Sequence, residues 1–146
     1  MKKFLLSDPK LLLYGFSILF FASYGQTFFI SLFNTEIRLF YSLSDGEFGL
    51  VYAIATLSSS FILISFAKLI DHLDLRFYSL IITFGFLLAC LGMVFLVNNI
   101  LYLFLIIFML RFFGQGAMDH AGGTTMARYF GNDKGKALSA ATLGGM

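Results

Sequence analysis

One positively charged residue lies deep inside a long apolar stretch of the sequence. Arg111 comes eleven residues after Ile100, where the fourth apolar stretch begins, and Gly114, Gln115 and Gly116 follow it. At about 1.5 Å per residue, a helix that enters a bilayer near Ile100 carries Arg111 about 16 Å deep, the middle of a hydrocarbon core about 30 Å thick. Placing an arginine there costs roughly 3 kcal/mol, so it should face protein or water and have a partner or ligand. This position favours anion binding along a transport pathway.

Arg111 is the first member of a polar stripe. Gln115 and Asp119 follow at i+4 and i+8, so on a regular helix the three fall along one side with a drift of about 40° per step. We expect Arg111 to bind a solute anion or to join a charge relay, with Gln115 assisting and a carboxylate elsewhere as counter-ion. The alternative is a structural tether to backbone carbonyls of a neighbouring helix. Asp119, about 28 Å down the helix, should lie in an aqueous mouth near the inner interface.

The first apolar stretch also carries polar side chains. Tyr24 and Gln26 are candidates for solute contact from this helix. Hydrogen bonding between helices explains the same residues equally well.

The composition is that of an integral membrane protein. Of the 146 residues, 59% are hydrophobic and 12% are charged, and the mean hydropathy is +0.87, which is too apolar for a soluble domain of this size. The net charge of +2 is too small to indicate a nucleic-acid partner. We therefore expect a lipid bilayer around the chain and no nucleic acid.

Chemistry of other kinds has little support in the sequence. The single Cys90 excludes an intrachain disulfide and a multi-cysteine metal site. His72, a lone imidazole among carboxylates, is a poor zinc site. The sequence holds no P-loop, no H-E-x-x-H and no G-x-S-x-G. We expect no enzyme activity, no cofactor and no metal.

Four apolar segments can each span a bilayer, and a fifth begins near the end of the chain. These predicted helices cover residues 11–33, 48–69, 77–97, 100–126 and 136–146. The last covers only about half a bilayer, so we expect an incomplete fifth helix and a chain that is part of a longer protein. The predicted fold class is an all-α polytopic helix bundle.

The basic residues outside these segments predict the orientation. Eight of them lie at the N-terminus or in the even-numbered connections, and only Arg38 lies on the opposite side. The eight are Lys2, Lys3, Lys10, Lys68, Arg76, Arg128, Lys134 and Lys136. The positive-inside rule therefore predicts that the N-terminus lies in the cytoplasm. We expect the protein in the plasma or inner membrane of the cell.

Two connections carry recognisable turn chemistry. Ser44, with Glu47 three residues later and an apolar run behind it, is a capping box that should begin the second helix. Asn98 and Asn99 make the short turn between the third and fourth helices, where asparagine tolerates left-handed backbone angles.

Three motifs resemble those of the major facilitator superfamily. The stretch A-K-L-I-D-H-L-D-L-R, residues 67–76, is similar to the cytoplasmic motif G-x-L-A-D-R-x-G-R-K, with matches at Leu69, Asp71 and Arg76. R-F-F-G-Q-G resembles the R-x-x-x-G motif, in which the arginine is linked to proton coupling or solute handling. A-R-Y-F-G-N-D-K-G-K-A-L, residues 127–138, resembles the usual exit of the fourth helix and start of the fifth. G-Q-T-F-F-I-S and G-Q-G-x-M-x-H also resemble the monocarboxylate and organic-anion branch.

The resemblance implies a secondary active transporter that moves a small solute, a small organic anion, by alternating access. It implies a protein built of two six-helix halves, of which this chain would form the first four helices and part of the fifth. The C-terminal half of the same protein would be its partner, and transport could be coupled to protons. Asp71 and Arg76 would be gating contacts between the halves, and Arg111 would handle the solute. The alternative is a small membrane scaffold or assembly subunit that transports nothing.

Overall fold

The computed structural model describes residues 8–145, so Lys2 and Lys3 of the predicted orientation and Met146 of the predicted fifth helix lie outside the described residues. Four helices are long and apolar enough to cross a membrane: α1 (Pro9–Ser31), α3 (Asp45–Asp71), α4 (Leu75–Val94) and α5 (Ile100–Tyr129). Two shorter helices are α2 (Asn34–Tyr41) and α6 (Lys134–Thr142). Within the described part of the chain there is no strand, which confirms the all-α helix bundle.

Helix α1 is interrupted near its C-terminal end. It is α-helical over Pro9–Ala22, turns into a 3-10 segment over Ser23–Gly25, and resumes over Thr27–Ser31. Gln26 between these segments is extended, with φ −76° and ψ 154°. The sequence predicted one continuous helix over 11–33, because its hydropathy does not register a single extended residue.

The loop predicted between the first two spans contains helix α2. Its last residue is followed by Ser42, which has a left-handed backbone with φ 53°. Arg38 of α2 forms an ion pair with Asp45 at the start of α3. The capping box is confirmed: Ser44 N donates to Glu47 Oε2 at 2.8 Å, and Glu47 N donates to Ser44 Oγ at 3.3 Å.

The turn between α4 and α5 is held by a cap instead of a left-handed residue. The Asn99 side chain accepts from the backbone N of Leu101 at 2.8 Å and of Tyr102 at 3.4 Å, and the Asn99 backbone has φ −145°. The Tyr102 hydroxyl lies 2.9 Å from the carbonyl oxygens of Gly92 and Phe95. The expected αL asparagine is wrong here, because a side-chain oxygen satisfies the first free N–H groups of α5.

Helix α5 changes its winding in the middle. It is α-helical over Ile100–Met109, π-helical over Leu110–Met118, and α-helical again over Asp119–Tyr129. A π segment rotates the residues that follow it relative to a regular α-helix. The stripe of Arg111, Gln115 and Asp119 was predicted on regular helical geometry, which the structure does not keep.

Helix α5 is the centre of the bundle, with α1, α3 and α4 packed around it. Helix α6 lies along α1 and runs in the same direction, since Gly15 is close to Ala141, and Gly144 is close to Phe16. Large apolar side chains of α3 and α4 are exposed, among them Phe61, Ile64 and Leu80. Exposed faces of this kind suit contact with lipid.

Candidate functional site

Arg111 lies where the π segment of α5 meets the break in α1. Its side chain is 7% exposed. Nη1 donates to the carbonyl oxygen of Gly25 at 3.2 Å and to Thr27 Oγ1 at 3.1 Å. The backbone contact is the tether that the sequence left open as the alternative, and it joins α1 to α5.

Two glycines allow this contact. A Cβ placed on Gly25 would lie 2.5 Å from the carbonyl oxygen of Leu110 and 2.8 Å from the Cα of Gly114. Only glycine at both positions lets the two backbones come this close. This close approach brings the α1 break within reach of the Arg111 side chain.

Tyr52 of α3 completes the surroundings of the guanidinium. The Cζ of Arg111 lies 5.3 Å from the centroid of the Tyr52 ring, within the range of a cation–π interaction. The Tyr52 hydroxyl donates to Thr27 Oγ1 at 2.9 Å. Thr27 therefore accepts from both Arg111 and Tyr52, which uses both lone pairs of its hydroxyl oxygen and leaves its proton free to donate.

The buried polar atoms of this region are only partly satisfied. Nε of Arg111 and Oε1 of Gln115 are buried and have no hydrogen-bond partner among the described residues. No carboxylate within residues 8–145 forms an ion pair with Arg111, so the expected counter-ion is not found in this part of the chain. The guanidinium of Arg111 therefore has a positive charge and a free N–H donor at Nε, and the described residues supply no anionic acceptor for them.

Asp119 approaches the same break from another side. Gln26 Nε2 donates to Asp119 Oδ2 at 2.7 Å. Three successive residues of α1, Gly25, Gln26 and Thr27, thus contact Arg111 or Asp119. Helix α5 continues to Tyr129, ten residues or about 15 Å beyond Asp119.

A cavity of about 380 Å³ opens beside Asp119. It lies between α1, α5 and α6, and its lining residues are Leu19, Ser23, Gln26, Asp119, Gly123, Leu138, Thr142 and Gly145. Asp119 is the charged residue of this lining. The structure therefore brings together Arg111, Asp119 and Gln26 of the predicted site. Gln115 lies about one helical turn after Arg111 along α5.

Tyr24 points to a different environment. Its ring packs edge-on against Phe29 at 4.8 Å and against Phe20 at 5.8 Å between ring centroids. It lines an apolar cavity of about 580 Å³ together with Cys90 and Met93. Although Tyr24 is adjacent to Gly25 in the sequence, the structure does not place it with the polar residues around Arg111.

No hydrogen bond or ion pair joins the two predicted gating residues in the described part of the chain. Asp71 forms an ion pair with Arg128 at the C-terminal end of α5, and Arg128 also donates to the carbonyl oxygen of Ile70 at 3.4 Å. Arg76 is exposed, and its backbone N donates to the capping side chain of Asp74 at 2.8 Å. The ion pair therefore joins α3 to α5, and Arg76 has no part in it.

Sequence reasoning missed three residues of these contacts. Tyr52 is a single tyrosine in an apolar run and carries no local signal. Thr27 was recognised as one of several polar residues of the first span, with nothing to select it. Arg128 was counted only for orientation, although its place at the end of the helix that follows the Asp71 loop is a usable signal.

The described residues also limit metal chemistry. Within residues 8–145, no group of three His, Cys, Asp or Glu side chains converges on one point.

Comparison with known proteins gives one match. The sequence profile of the Major Facilitator Superfamily matches residues 2–146. No curated protein and no solved structure matches the chain significantly. Members of this superfamily are membrane transporters, and the four membrane-spanning candidates fit a multi-pass membrane protein. The match covers nearly the whole sequence, so the chain belongs to the Major Facilitator Superfamily.

Proposed function

We propose that this protein is a secondary active transporter that carries a small organic anion, a small carboxylate, and that Arg111 binds the anionic group. The helices described here would form one wall of the solute path. A second half of the transporter would form the other, with the N-terminus on the cytoplasmic side of the plasma or inner membrane.

The observation that carries the proposal is the unbalanced charge of Arg111. A buried guanidinium costs free energy unless an anion or several hydrogen bonds compensate it. The described residues supply two acceptors to Nη1 and the face of one ring, and they leave Nε unused. A carboxylate fits this need because a guanidinium can donate to it with two parallel N–H groups.

The tether to α1 supports a role in alternating access. Arg111 holds the residues that flank the extended Gln26, where the helical winding of α1 is interrupted. A solute carboxylate would compete with Gly25 and Thr27 for the same guanidinium. Solute binding would then loosen or re-form the contact between α1 and α5, which couples occupancy to a helix movement.

The test is uptake of labelled small mono- and dicarboxylates by cells or vesicles that contain the protein. Arg111→Ala should reduce uptake by about 10- to 100-fold, since a hydrogen bond to a charged group contributes about 1.5–3 kcal/mol. Arg111→Lys keeps the charge but not the paired N–H groups, so it should retain part of the activity.

The matched control is Arg38→Gln. Arg38 is the basic residue of the opposite, predicted outer, side, and its loss should leave uptake close to that of the unmodified protein. Arg111→Ala protein that is present in the membrane at normal levels and takes up carboxylates at the normal rate would contradict the proposal.

A further inference from the structure

The cavity beside Asp119 is lined by polar groups that have already used most of their hydrogen atoms. Ser23 Oγ donates to the carbonyl oxygen of Leu19 at 3.2 Å, and Thr142 Oγ1 donates to that of Ser139 at 3.0 Å. Gln26 uses one N–H of its amide on Asp119 at 2.7 Å. What these side chains still offer is mainly oxygen: one carboxylate oxygen, one amide oxygen and two hydroxyl oxygens.

The charges around this cavity are also one-sided. Asp119 is the charged group in the lining, and no described Lys, Arg or His forms an ion pair with it. Arg111 uses its Nη1 on Gly25 and Thr27, and His120 lies 3.5 Å from the Thr124 hydroxyl. A half-buried carboxylate without a cation is costly in a membrane protein, and a bound cation would remove that cost.

We propose that this cavity binds a monovalent alkali cation, with Asp119, Gln26, Ser23 and Thr142 as its protein oxygen ligands. Hard cations take carboxylate, carbonyl and hydroxyl oxygens in preference to nitrogen or sulfur. One carboxylate balances one positive charge, whereas a divalent ion would leave an excess charge in a low-dielectric site. The cavity of about 380 Å³ also has room for several waters, each of about 30 Å³, to complete the coordination.

The position of Gln26 gives such a cation a consequence. Gln26 contacts Asp119 directly, and its neighbours Gly25 and Thr27 contact Arg111. A cation that draws the Asp119 carboxylate and the Gln26 amide oxygen together would fix the break in α1, and with it the acceptors of Arg111. Its use as a coupling ion rests on the proposed transport function, whereas cation binding itself does not.

The experiment measures binding of radioactive Na⁺ to the purified protein in lipid nanodiscs, with choline replacing the other cations at constant ionic strength. Na⁺ should bind saturably and be displaced by unlabelled Na⁺. Asp119→Asn should abolish saturable binding, whereas Glu36→Gln, which neutralises an exposed carboxylate of α2, should leave it unchanged.

A pair of substitutions at Thr142 keeps the test valid if Asp119→Asn fails to fold. Thr142→Val removes one oxygen ligand at nearly constant shape and should weaken Na⁺ binding by about fivefold. Thr142→Ser keeps the oxygen and should bind Na⁺ almost normally.

Three results would overturn the cation site. These are no saturable Na⁺ binding by the unmodified protein, equal binding by Asp119→Asn, and an Asp119-dependent effect of pH with none of Na⁺, which would mean that the group takes a proton only. Arg111-dependent uptake of carboxylates can persist in each case, so failure here is distinct from failure of the proposed function.

Discussion

The two arginines of α5 differ in their surroundings more than in their chemistry. At the C-terminal end of the helix, Arg128 pairs with Asp71, and the two side chains are 45% and 57% exposed. In the middle, Arg111 is 7% exposed and has no carboxylate partner among the described residues. The charge of the exposed Arg128, which water could solvate, is thus paired with a carboxylate. The charge of the buried Arg111 has no such partner among the described residues.

The difference shows where binding energy is available. An exposed ion pair contributes about 0–1 kcal/mol, because water already solvates both charges. It can form and break at little cost, as a contact that opens and closes must. A buried cation without a counter-ion gains much more from a ligand, which suits a binding site. Predictions that separate the two contacts follow, from the largest expected effect to the smallest.

Gly25→Ala should have the largest effect, because it disturbs the backbone contact that places Arg111. The added Cβ would lie 2.5 Å from the Leu110 carbonyl oxygen, so α1 must move away from α5. Overpacking costs about 1–3 kcal/mol, and the weakened bond from Arg111 to Gly25 adds to this. Thermal unfolding in detergent measures the loss.

The control for this change is Gly49→Ala. A Cβ on Gly49 would meet no atom within 4 Å, and alanine favours the helix by up to about 1 kcal/mol. This variant should be as stable as the unmodified protein or slightly more stable. If both alanine variants unfold at the same temperature, the close contact of α1 with α5 is not as described.

Substitutions of Tyr52 should have a smaller, graded effect. Tyr52→Phe removes the hydrogen bond to Thr27, which is worth about 1 kcal/mol, but keeps the ring beside the guanidinium. Tyr52→Leu also removes the ring and should cost about 1 kcal/mol more. The free energy of unfolding of both variants, each also combined with Arg111→Lys, measures the contributions of the hydrogen bond and of the ring. Equal stability of the Phe and Leu variants would exclude the cation–π contact.

The ion pair between Asp71 and Arg128 should show the smallest effect. Asp71→Asn or Arg128→Gln should change the free energy of unfolding by about 1 kcal/mol or less, and the change should shrink at high salt. A double-mutant cycle should detect coupling between Asp71 and Arg128 and none between Asp71 and Arg76. Coupling of Asp71 to Arg76 instead would contradict the ion pair between Asp71 and Arg128.

The sequence was sufficient for the features that depend on local pattern. Long apolar segments, the capping box at Ser44 and the small residues around Gly114 each have a local physical cause, and each is found in the structure. The contact of Arg111 with buried protein groups also followed from one residue type in one environment. Charge in an apolar helix is visible without any knowledge of its neighbours.

The features that the sequence did not reveal depend on contacts between distant residues. The break at Gln26 and the π segment of α5 are stabilised where the two helices meet, at Gly25 and Gly114, 89 positions apart. Tyr52 contacts the guanidinium only because α3 packs beside Arg111. Hydropathy and spacing within one helix contain no information on either contact.

Binding of a labelled small carboxylate to the purified protein tests the central claim, that Arg111 provides the anion site, most directly. Equilibrium binding would be compared for the unmodified protein, Arg111→Lys and Arg111→Ala, after equal helix content is verified by circular dichroism. We predict saturable binding that weakens in the lysine variant and is lost in the alanine variant. Unchanged affinity in folded Arg111→Ala protein would contradict the claim and leave Arg111 as a structural tether between α1 and α5.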